Sequence, residues 1–237
     1  MIYAFWACKE INNFGDAITP YILTKLGYDV EFSWMQGVVL DGSILGICKE
    51  NHWIYGAGFM NLTDKTGAKN IRYVRGAISL ALLKSNGVDT TNIKTHIPAF
   101  CLAEFIEDKQ PTKDKTYALH YIDYSDFGID VCKPVEDVVN EILDHKNIIT
   151  SSLHVYIVCR MYGRGVALIK SNKQLSGDGT KYVDAFSCWG ESPVHPLDLS
   201  NKKGISTELK RTYNNPIIFD NKKFLLDLNE YLIINNK

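Results

Sequence analysis

The 237-residue chain lacks a long apolar run, since no stretch approaches the roughly 18–20 residues that a membrane-spanning helix needs. Its apolar start, residues 1–8, carries no basic leader and is followed by Lys9 and Glu10. These features predict a buried first strand rather than a secretory signal. We therefore expect no transmembrane segment.

Cysteine is sparse and never clustered. No C-x-x-C pair occurs, and the six cysteines are Cys8, Cys48, Cys101, Cys132, Cys159 and Cys188. Zinc sites need closely spaced ligand pairs, so this spacing argues against a cysteine-based metal site. Single cysteines within apolar runs are typical of core residues in a reducing compartment. We expect a cytoplasmic protein, either free or peripheral at the inner face of the membrane.

Neither sign of charge predominates, because 26 Lys and Arg residues stand against 27 Asp and Glu residues. A nucleic-acid partner is not expected, since a chain-wide basic surface for phosphates is missing. Apolar residues make up 46% of the chain and charged residues 22%, which excludes a disordered or fibrous protein.

The motifs of several enzyme classes are also missing. Neither G-x-G-x-x-G nor G-x-x-x-x-G-K-[ST] occurs, so the sequence predicts no complete loop for nucleotide phosphates. The histidines form no H-x-x-x-H or H-E-x-x-H pattern, which disfavours a metal enzyme. The absence of G-x-S-x-G argues against an α/β-hydrolase. We expect neither a metal nor a bound cofactor.

What the chain does contain is an alternation of short β-rich runs with helical runs. The predicted strands are residues 2–6, 38–40, 53–55, 71–74, 117–121, 147–150 and 166–169, and the predicted helices are 17–26, 77–84, 135–143, 153–161 and 222–233. Asp16 is the predicted N-cap of the first helix, with Pro20 in its first turn. The pattern predicts an α/β fold with two Rossmann-like βαβ domains that face a cleft.

Residues 107–115 are polar, contain a proline and form the best linker candidate. They separate an N-terminal domain, residues 1–110, from a C-terminal domain, residues 111–237, whose last helix is free to pack back on the first domain. In open α/β sheets, ligands bind beyond the carboxyl ends of the strands. Functional residues are therefore sought directly after the predicted strands, beside the cleft.

Arg75 follows a four-residue apolar strand and precedes Gly76. A guanidinium at this position would point into the cleft and could hold a phosphate or carboxylate through two hydrogen bonds. A surface arginine at the end of a strand explains the same pattern.

His154 lies in the first turn of a predicted helix that Ser151 and Ser152 open. Free backbone N–H groups and the positive helix terminus make this an anion pocket. The imidazole can donate to an anion or transfer a proton near neutral pH. A histidine that only satisfies a hydrogen bond at the helix start is the alternative, and position alone does not separate the two.

The loop that contains Asn13, Gly15 and Asp16 joins the first strand to the first helix. A turn glycine and a capping aspartate explain these residue types without any further role. Lys181, which starts another helical run, is a candidate second cation for the cleft, although a solvated lysine is the simpler explanation.

At these same residues the sequence is similar to the polysaccharide pyruvyl transferase family. The matching pieces occur in the expected order and are residues 12–23, 42–45, 55–58, 74–79, 149–158 and 177–182. The resemblance implies a glycosyltransferase-B-like arrangement of two domains. It further implies phosphoenolpyruvate as donor, and as product a pyruvate ketal on a sugar of a cell-surface or exopolysaccharide glycan.

The family's donor-binding arginine and histidine fall on Arg75 and His154. We assign catalytic roles to these two residues and to Asp16. His154 is then either the proton donor or only a phosphate ligand, and Asp16 either handles an acceptor hydroxyl or only caps its helix. Substrate binding is assigned to a further set: Asn13, Gly15, Ser151, Ser152 and Lys181. We expect Arg75→Ala to raise the donor KM or abolish turnover with the fold intact.

Two positions depart from the family pattern. Many relatives carry an arginine where this chain has Ser152, and the family's Gly-Asp-Pro corresponds here to His96, Ile97 and Pro98. The alternatives are therefore a catalytically inactive glycan-binding relative and a glycosyltransferase of the same layout that uses a nucleotide sugar. The residues identify neither the acceptor sugar nor whether it is linked to a lipid.

Overall fold

The computed structural model describes residues 1–7, 10–11, 13–123, 127–171, 173 and 176–235. Cys8 and Asn12, which belong to the sequence patterns above, lie outside the described residues.

Six parallel strands form the first sheet, in the order β2-β1-β3-β4-β5-β6. They are β1 Ile2–Ala4, β2 Val30–Phe32, β3 Gly37–Val39, β4 His52–Tyr55, β5 Asn70–Val74 and β6 Lys94–Thr95. Helix α1, Phe14–Lys25, follows β1, and helix α2, Ala77–Ser85, follows β5. Short 3-10 helices span Leu45–Ile47 and Pro98–Glu104.

Three parallel strands form the second sheet, in the order β7-β8-β9. They are β7 Lys113–Tyr117, β8 His145–Thr150 and β9 Gly165–Leu168. The helices of this half are α3 Val135–Leu143, α4 Leu153–Met161, α5 Thr180–Cys188, α6 Lys202–Thr212 and α7 Asn221–Asn235, with a 3-10 turn at Tyr121–Asp123. All four residues of β9 are buried, as in a strand that is covered on both faces.

Parallel strands joined through helices make this a mixed α/β protein with a Rossmann-like architecture, which confirms the α/β part of the predicted fold class. The largest hydrophobic cluster takes side chains from both halves of the chain, among them Ile18, Phe100, Ile142 and Tyr156. Helix α7 returns to the first sheet, where the Tyr73 hydroxyl donates to Asp227 at 2.6 Å.

The predicted start of the first helix is wrong. Helix α1 begins at Phe14, with Asn13 in the N-cap position, and Asp16 is the third residue of the helix rather than its cap. Pro20 consequently lies in the helix interior and not in the first turn. The early start has a tertiary cause, because Phe14 is buried and its N–H donates to the Val131 carbonyl at 2.9 Å.

The predicted strand at residues 117–121 is also wrong, since β7 runs from Lys113 to Tyr117. Its first three residues belong to the segment predicted as a linker. β7 lies at an edge of its sheet, and the Lys113–Lys115 part is exposed. An exposed edge strand carries little of the apolar pattern from which strands are predicted. The sequence analysis also missed the short strands β2 and β6 and the polar helix α6.

Within the described part of the chain, no helix combines the length and the apolar character that crossing a membrane requires.

Candidate active site

A cleft of about 190 Å³ opens where strands of both sheets end. Its lining residues follow β1, β3, β4, β7, β8 and β9 in the chain. The polar ones are Asn13, Asp16, Ser43, His120, Tyr121, His154, Ser176, Lys181 and Tyr182. The carboxyl ends of parallel strands thus meet at one cavity, which is the expected place for a ligand in this fold class. A larger depression of about 530 Å³ beside Glu191 and Arg211 includes none of the predicted site residues.

His154 is the second residue of α4, and its side chain is 19% exposed at the cleft. Its Nε2 lies 3.2 Å from Oδ1 of Asp41. The other ring nitrogen, Nδ1, packs against the backbone of Gly15 in α1, so closely that a Cβ at position 15 would overlap the ring. Gly15 is not among the lining residues, and the structure places it against the imidazole, for which it makes room.

Asp41 lies just beyond the end of β3 and is almost completely buried. Its carboxylate accepts hydrogen bonds from the N–H of Gly42 at 2.7 Å and from the N–H of Ala99 at 3.0 Å. Burial alone would raise the pKa of Asp41, but His154, the Gly42 N–H and the Arg75 guanidinium outweigh burial and lower it. A negative charge therefore sits directly behind the imidazole of His154.

Arg75 follows β5, as predicted, but its guanidinium is buried in protein. Nε donates to Asp184 at 2.9 Å, Nη1 to the hydroxyl of Ser43 at 2.5 Å and Nη2 to the Phe59 carbonyl at 2.6 Å. The prediction that Arg75 points into the cleft is corrected, because the buried carboxylate of Asp184 in α5 takes its charge. Arg75 borders the cleft through Ser43, which does line it.

Lys181, in the first turn of α5, lines the cleft and is half-buried rather than solvated. Burial, with a smaller contribution from the Arg75 charge, lowers the pKa of Lys181 to about 8. The neighbouring Tyr182 also lines the cleft, and burial raises its pKa to about 12. The site therefore holds an ammonium group whose charge changes just above neutral pH, beside a neutral phenol.

His120 lines the cleft on the side of the second sheet, three residues after β7. Burial lowers its pKa to about 4, and the positive charges of Lys181 and His154 act in the same direction. The imidazole is therefore neutral at neutral pH. Its Nδ1 accepts from the N–H of Ile122 at 3.4 Å, which leaves Nε2 as the protonated nitrogen.

Ser151 and Ser152, which were predicted to bind substrate, are buried and are not among the residues that line the cleft. The Ser151 hydroxyl donates to Asp123 at 2.7 Å and accepts from the His120 N–H at 3.0 Å. Ser152 is the N-cap of α4, and its hydroxyl accepts from the N–H of Val155. Both serines thus hold the first turn of α4 in place, while Leu153 and His154 form the surface of the cleft.

Asn13 and Asp16 do line the cleft, and the Asn13 side-chain amide donates to the Asp16 carboxylate at 2.7 Å. Of the residues that the sequence predicted, the structure brings Asn13, Asp16, His154 and Lys181 to one cavity. Within the described ranges, no group of three or more His, Cys, Asp or Glu side chains is arranged to hold a metal ion.

Asp41, His120 and Tyr182 are among the residues of the site that the sequence did not predict. Asp41 directly follows the predicted strand 38–40, so the same strand-end rule that selected Arg75 also applied to it. His120 fell inside the wrongly predicted strand 117–121. Tyr182 closes the last piece of the family resemblance, but nothing in its pattern distinguished it from a core residue.

No family model matches this chain, and no curated protein matches it. Among solved structures, the chain is similar to an uncharacterised protein from Klebsiella pneumoniae subsp. pneumoniae NTUH-K2044. The TM-score is 0.46 at 13% sequence identity, and the match covers 79% of this chain and 86% of that one.

Proposed function

We propose that this protein transfers pyruvate from phosphoenolpyruvate to a sugar of a cell-surface or exopolysaccharide glycan, with formation of a pyruvate ketal. The observation that carries the proposal is the small cleft that His120, His154 and Lys181 line together. Phosphoenolpyruvate presents a phosphate and a carboxylate, and cationic side chains and N–H donors can bind both groups without a metal.

The size of the cleft supports a small donor. Pockets for drug-sized ligands have volumes of roughly 300–1,000 Å³, whereas this cleft measures about 190 Å³. A three-carbon acid with one phosphate suits that volume better than a nucleotide sugar does. The same comparison disfavours the alternative of a nucleotide-sugar-dependent glycosyltransferase.

The charges around the cleft support an anionic ligand. Lys181 brings an ammonium group to the lining, and the first turn of α4 brings backbone N–H groups and a positive helix terminus. Arg75 serves this site indirectly, because its guanidinium donates to the lining residue Ser43. The carboxylate of Asp16, which lines the same cleft and accepts from the Asn13 side chain, is the proton acceptor for the second substrate.

The reaction can be written with these groups. A protonated side chain, His154 or Lys181, gives a proton to the methylene carbon of phosphoenolpyruvate, which makes C2 electrophilic. A sugar hydroxyl oxygen then bonds to C2, and its proton passes to Asp16. A second hydroxyl of the same sugar bonds to C2 while the bond from C2 to the phosphate oxygen breaks. Phosphate leaves with the second hydroxyl proton, and the ketal is complete.

The proposal includes a glycosyltransferase-B-like relation between the two sheets, which is supported by the convergence of their strand ends on one cleft. It also includes a cytoplasmic location, at the inner face of the membrane if the acceptor is lipid-linked. The five cysteines in the described part of the chain form no disulfide with one another, in keeping with a reducing compartment.

The proposal is tested by calorimetric titration with phosphoenolpyruvate and, separately, with a panel of nucleotide sugars. Phosphate release is then measured with phosphoenolpyruvate and glycan acceptors. We expect binding of phosphoenolpyruvate and acceptor-dependent release of phosphate. The variant Lys181→Met should lose binding, while Lys170→Met, which removes an exposed lysine outside the cleft, should keep it.

Two other outcomes would overturn the proposal. Binding of a nucleotide sugar without binding of phosphoenolpyruvate would indicate a glycosyltransferase. Binding of glycans with no donor bound and no phosphate released would indicate an inactive relative.

A further inference from the structure

We propose that Asp41 is a positioning residue for His154, a buried carboxylate that orients the imidazole and stabilises its protonated form. The inference rests on the proposed function, since it concerns the same cleft. Neither the sequence motifs nor the family resemblance assigns Asp41 any role.

The carboxylate of Asp41 is fixed independently of His154. The backbone N–H of Asp41 donates to the hydroxyl of Thr19 in α1 at 3.2 Å. The two carboxylate oxygens of Asp41 accept from the N–H groups of Gly42 and Ala99. Asp41 therefore joins the end of β3, helix α1 and the 3-10 helix Pro98–Glu104. Because two backbone N–H groups hold the carboxylate and a third hydrogen bond holds the Asp41 main chain, the carboxylate is a rigid acceptor for the imidazole of α4.

The contact with His154 determines where the imidazole carries its proton. An ionised carboxylate can only accept hydrogen bonds, so His154 donates to Asp41 from Nε2. On its other side the ring packs against the backbone of Gly15 through Nδ1, so Asp41 and helix α1 hold the imidazole between them. A carboxylate behind a histidine in this way orients the ring and stabilises the imidazolium that forms during proton transfer.

The other titratable groups near the pair come from several elements. Arg75, His96 and Cys101 interact electrostatically with Asp41, and His120 interacts with His154. His120 is neutral near neutral pH, and Arg75 is paired with Asp184. Asp41 is in hydrogen-bond contact with the ring of His154, and the proposal therefore concerns Asp41.

The competing account is that Asp41 only satisfies the buried N–H groups of Gly42 and Ala99. Nuclear magnetic resonance titration of the histidine Cε1 protons in wild type and Asp41→Asn separates the two accounts. Positioning predicts that the titration midpoint of His154 falls by about one pH unit in the variant, a roughly tenfold loss of proton affinity. An unchanged midpoint would overturn the proposal.

Two controls accompany this titration. Asp64→Asn removes a carboxylate that also accepts from two backbone N–H groups, those of Met60 and Asn61, but that makes no contact with a histidine ring among the described interactions. It should leave the His154 midpoint unchanged. His145, in the strand β8 and hydrogen-bonded to the Glu141 carbonyl, serves as the internal reference in both variants.

If Asp41→Asn does not fold, the wild-type protein still decides the question. A two-bond ¹⁵N–¹H correlation spectrum should show the neutral His154 ring protonated on Nε2, and protonation on Nδ1 would overturn the proposal. The outcome is independent of the proposed function. If Asp41→Asn shifts the His154 midpoint but the wild-type protein does not turn over phosphoenolpyruvate, the positioning role is kept and the proposed reaction is rejected. If the wild-type protein turns over phosphoenolpyruvate but the midpoint does not shift, the reaction is kept and the positioning role is rejected.

Discussion

Asp41 and His154 are separated by 113 positions in the chain, yet Oδ1 of the aspartate lies 3.2 Å from Nε2 of the histidine. Asp41 follows β3 of the first sheet, and His154 lies in the first turn of α4, the helix that follows β8 of the second sheet. Their contact joins the two halves of the chain at the wall of the cleft. The account of this site depends on that junction, because it brings a carboxylate and an imidazole together beside Lys181.

Gly15→Ala should displace the imidazole of His154. A Cβ at position 15 would overlap the ring, so the variant must move either α1 or the histidine. Overpacking of this kind costs about 1–3 kcal/mol of unfolding free energy, which chemical denaturation measures. In a His154→Ala background the space is vacant, and the same substitution should cost much less. Equal costs in both backgrounds would show that Gly15 and His154 do not compete for space.

Arg75→Met should destabilise the fold, contrary to the expectation from the sequence that removing Arg75 leaves the fold intact. The variant leaves Asp184 buried without its cation, and breaking a buried ion pair on one side costs about 3–5 kcal/mol. Denaturation curves measure this cost. The exposed pair between Lys133 and Glu141 is the control, and Lys133→Met should change stability far less. Similar effects in the two variants would contradict the buried position of Arg75.

Affinity for phosphoenolpyruvate should fall as the pH rises through about 8. Burial lowers the pKa of Lys181 to about 8, so its ammonium group loses its charge in this range. Calorimetric titrations between pH 7 and 9 check the effect. Lys181→Arg should extend binding to higher pH, because a guanidinium stays charged. Lys181→Met should weaken binding about tenfold or more at pH 7, and an affinity in that variant equal to wild type would remove Lys181 from the site.

The strand-and-helix alternation was sufficient to predict a mixed α/β protein with parallel sheets, because buried parallel strands and amphipathic helices leave strong periodic signals. Helices 135–143 and 153–161 were predicted with the boundaries that the structure has. The exposed edge strand β7 and the polar helix α6 left weak signals and were missed. Strand ends likewise located His154 and Asp16 near a cleft.

The sequence could not predict which side chains contact each other when they are far apart in the chain. Arg75 has the position of an anion ligand, but Asp184, 109 positions later, takes its charge. Asp41 follows a strand without any motif, and only the fold shows that it faces His154. Local patterns indicate which residues approach the cleft, whereas the direction of each side chain depends on partners from the other half of the chain.

Acid should destabilise the protein through His96. Burial lowers the pKa of this histidine to about 4, whereas an unfolded histidine titrates near 6.5. Between these values the unfolded chain binds a proton that the folded chain does not, so stability is complete above about pH 6.5 and is lost as the pH falls towards 4. The loss attributable to His96 is at most about 3 kcal/mol.

Denaturation at pH 7 and pH 5 measures that loss. His96→Phe should reduce the difference in stability between the two pH values, since a phenyl ring can keep the stacking on Phe224 without titrating. His195→Gln, at an exposed histidine, should keep the wild-type difference. A difference that His96→Phe leaves unchanged would assign the acid sensitivity to other groups.

The central claim is that the cleft between the two sheets binds phosphoenolpyruvate, and a crystal structure of the protein soaked with that acid tests it most directly. The account predicts density for the ligand in the cleft, with phosphate or carboxylate oxygens about 2.7–3.2 Å from Nζ of Lys181 and from the first N–H groups of α4. An empty cleft at saturating phosphoenolpyruvate, or the ligand bound only at another surface, would contradict it.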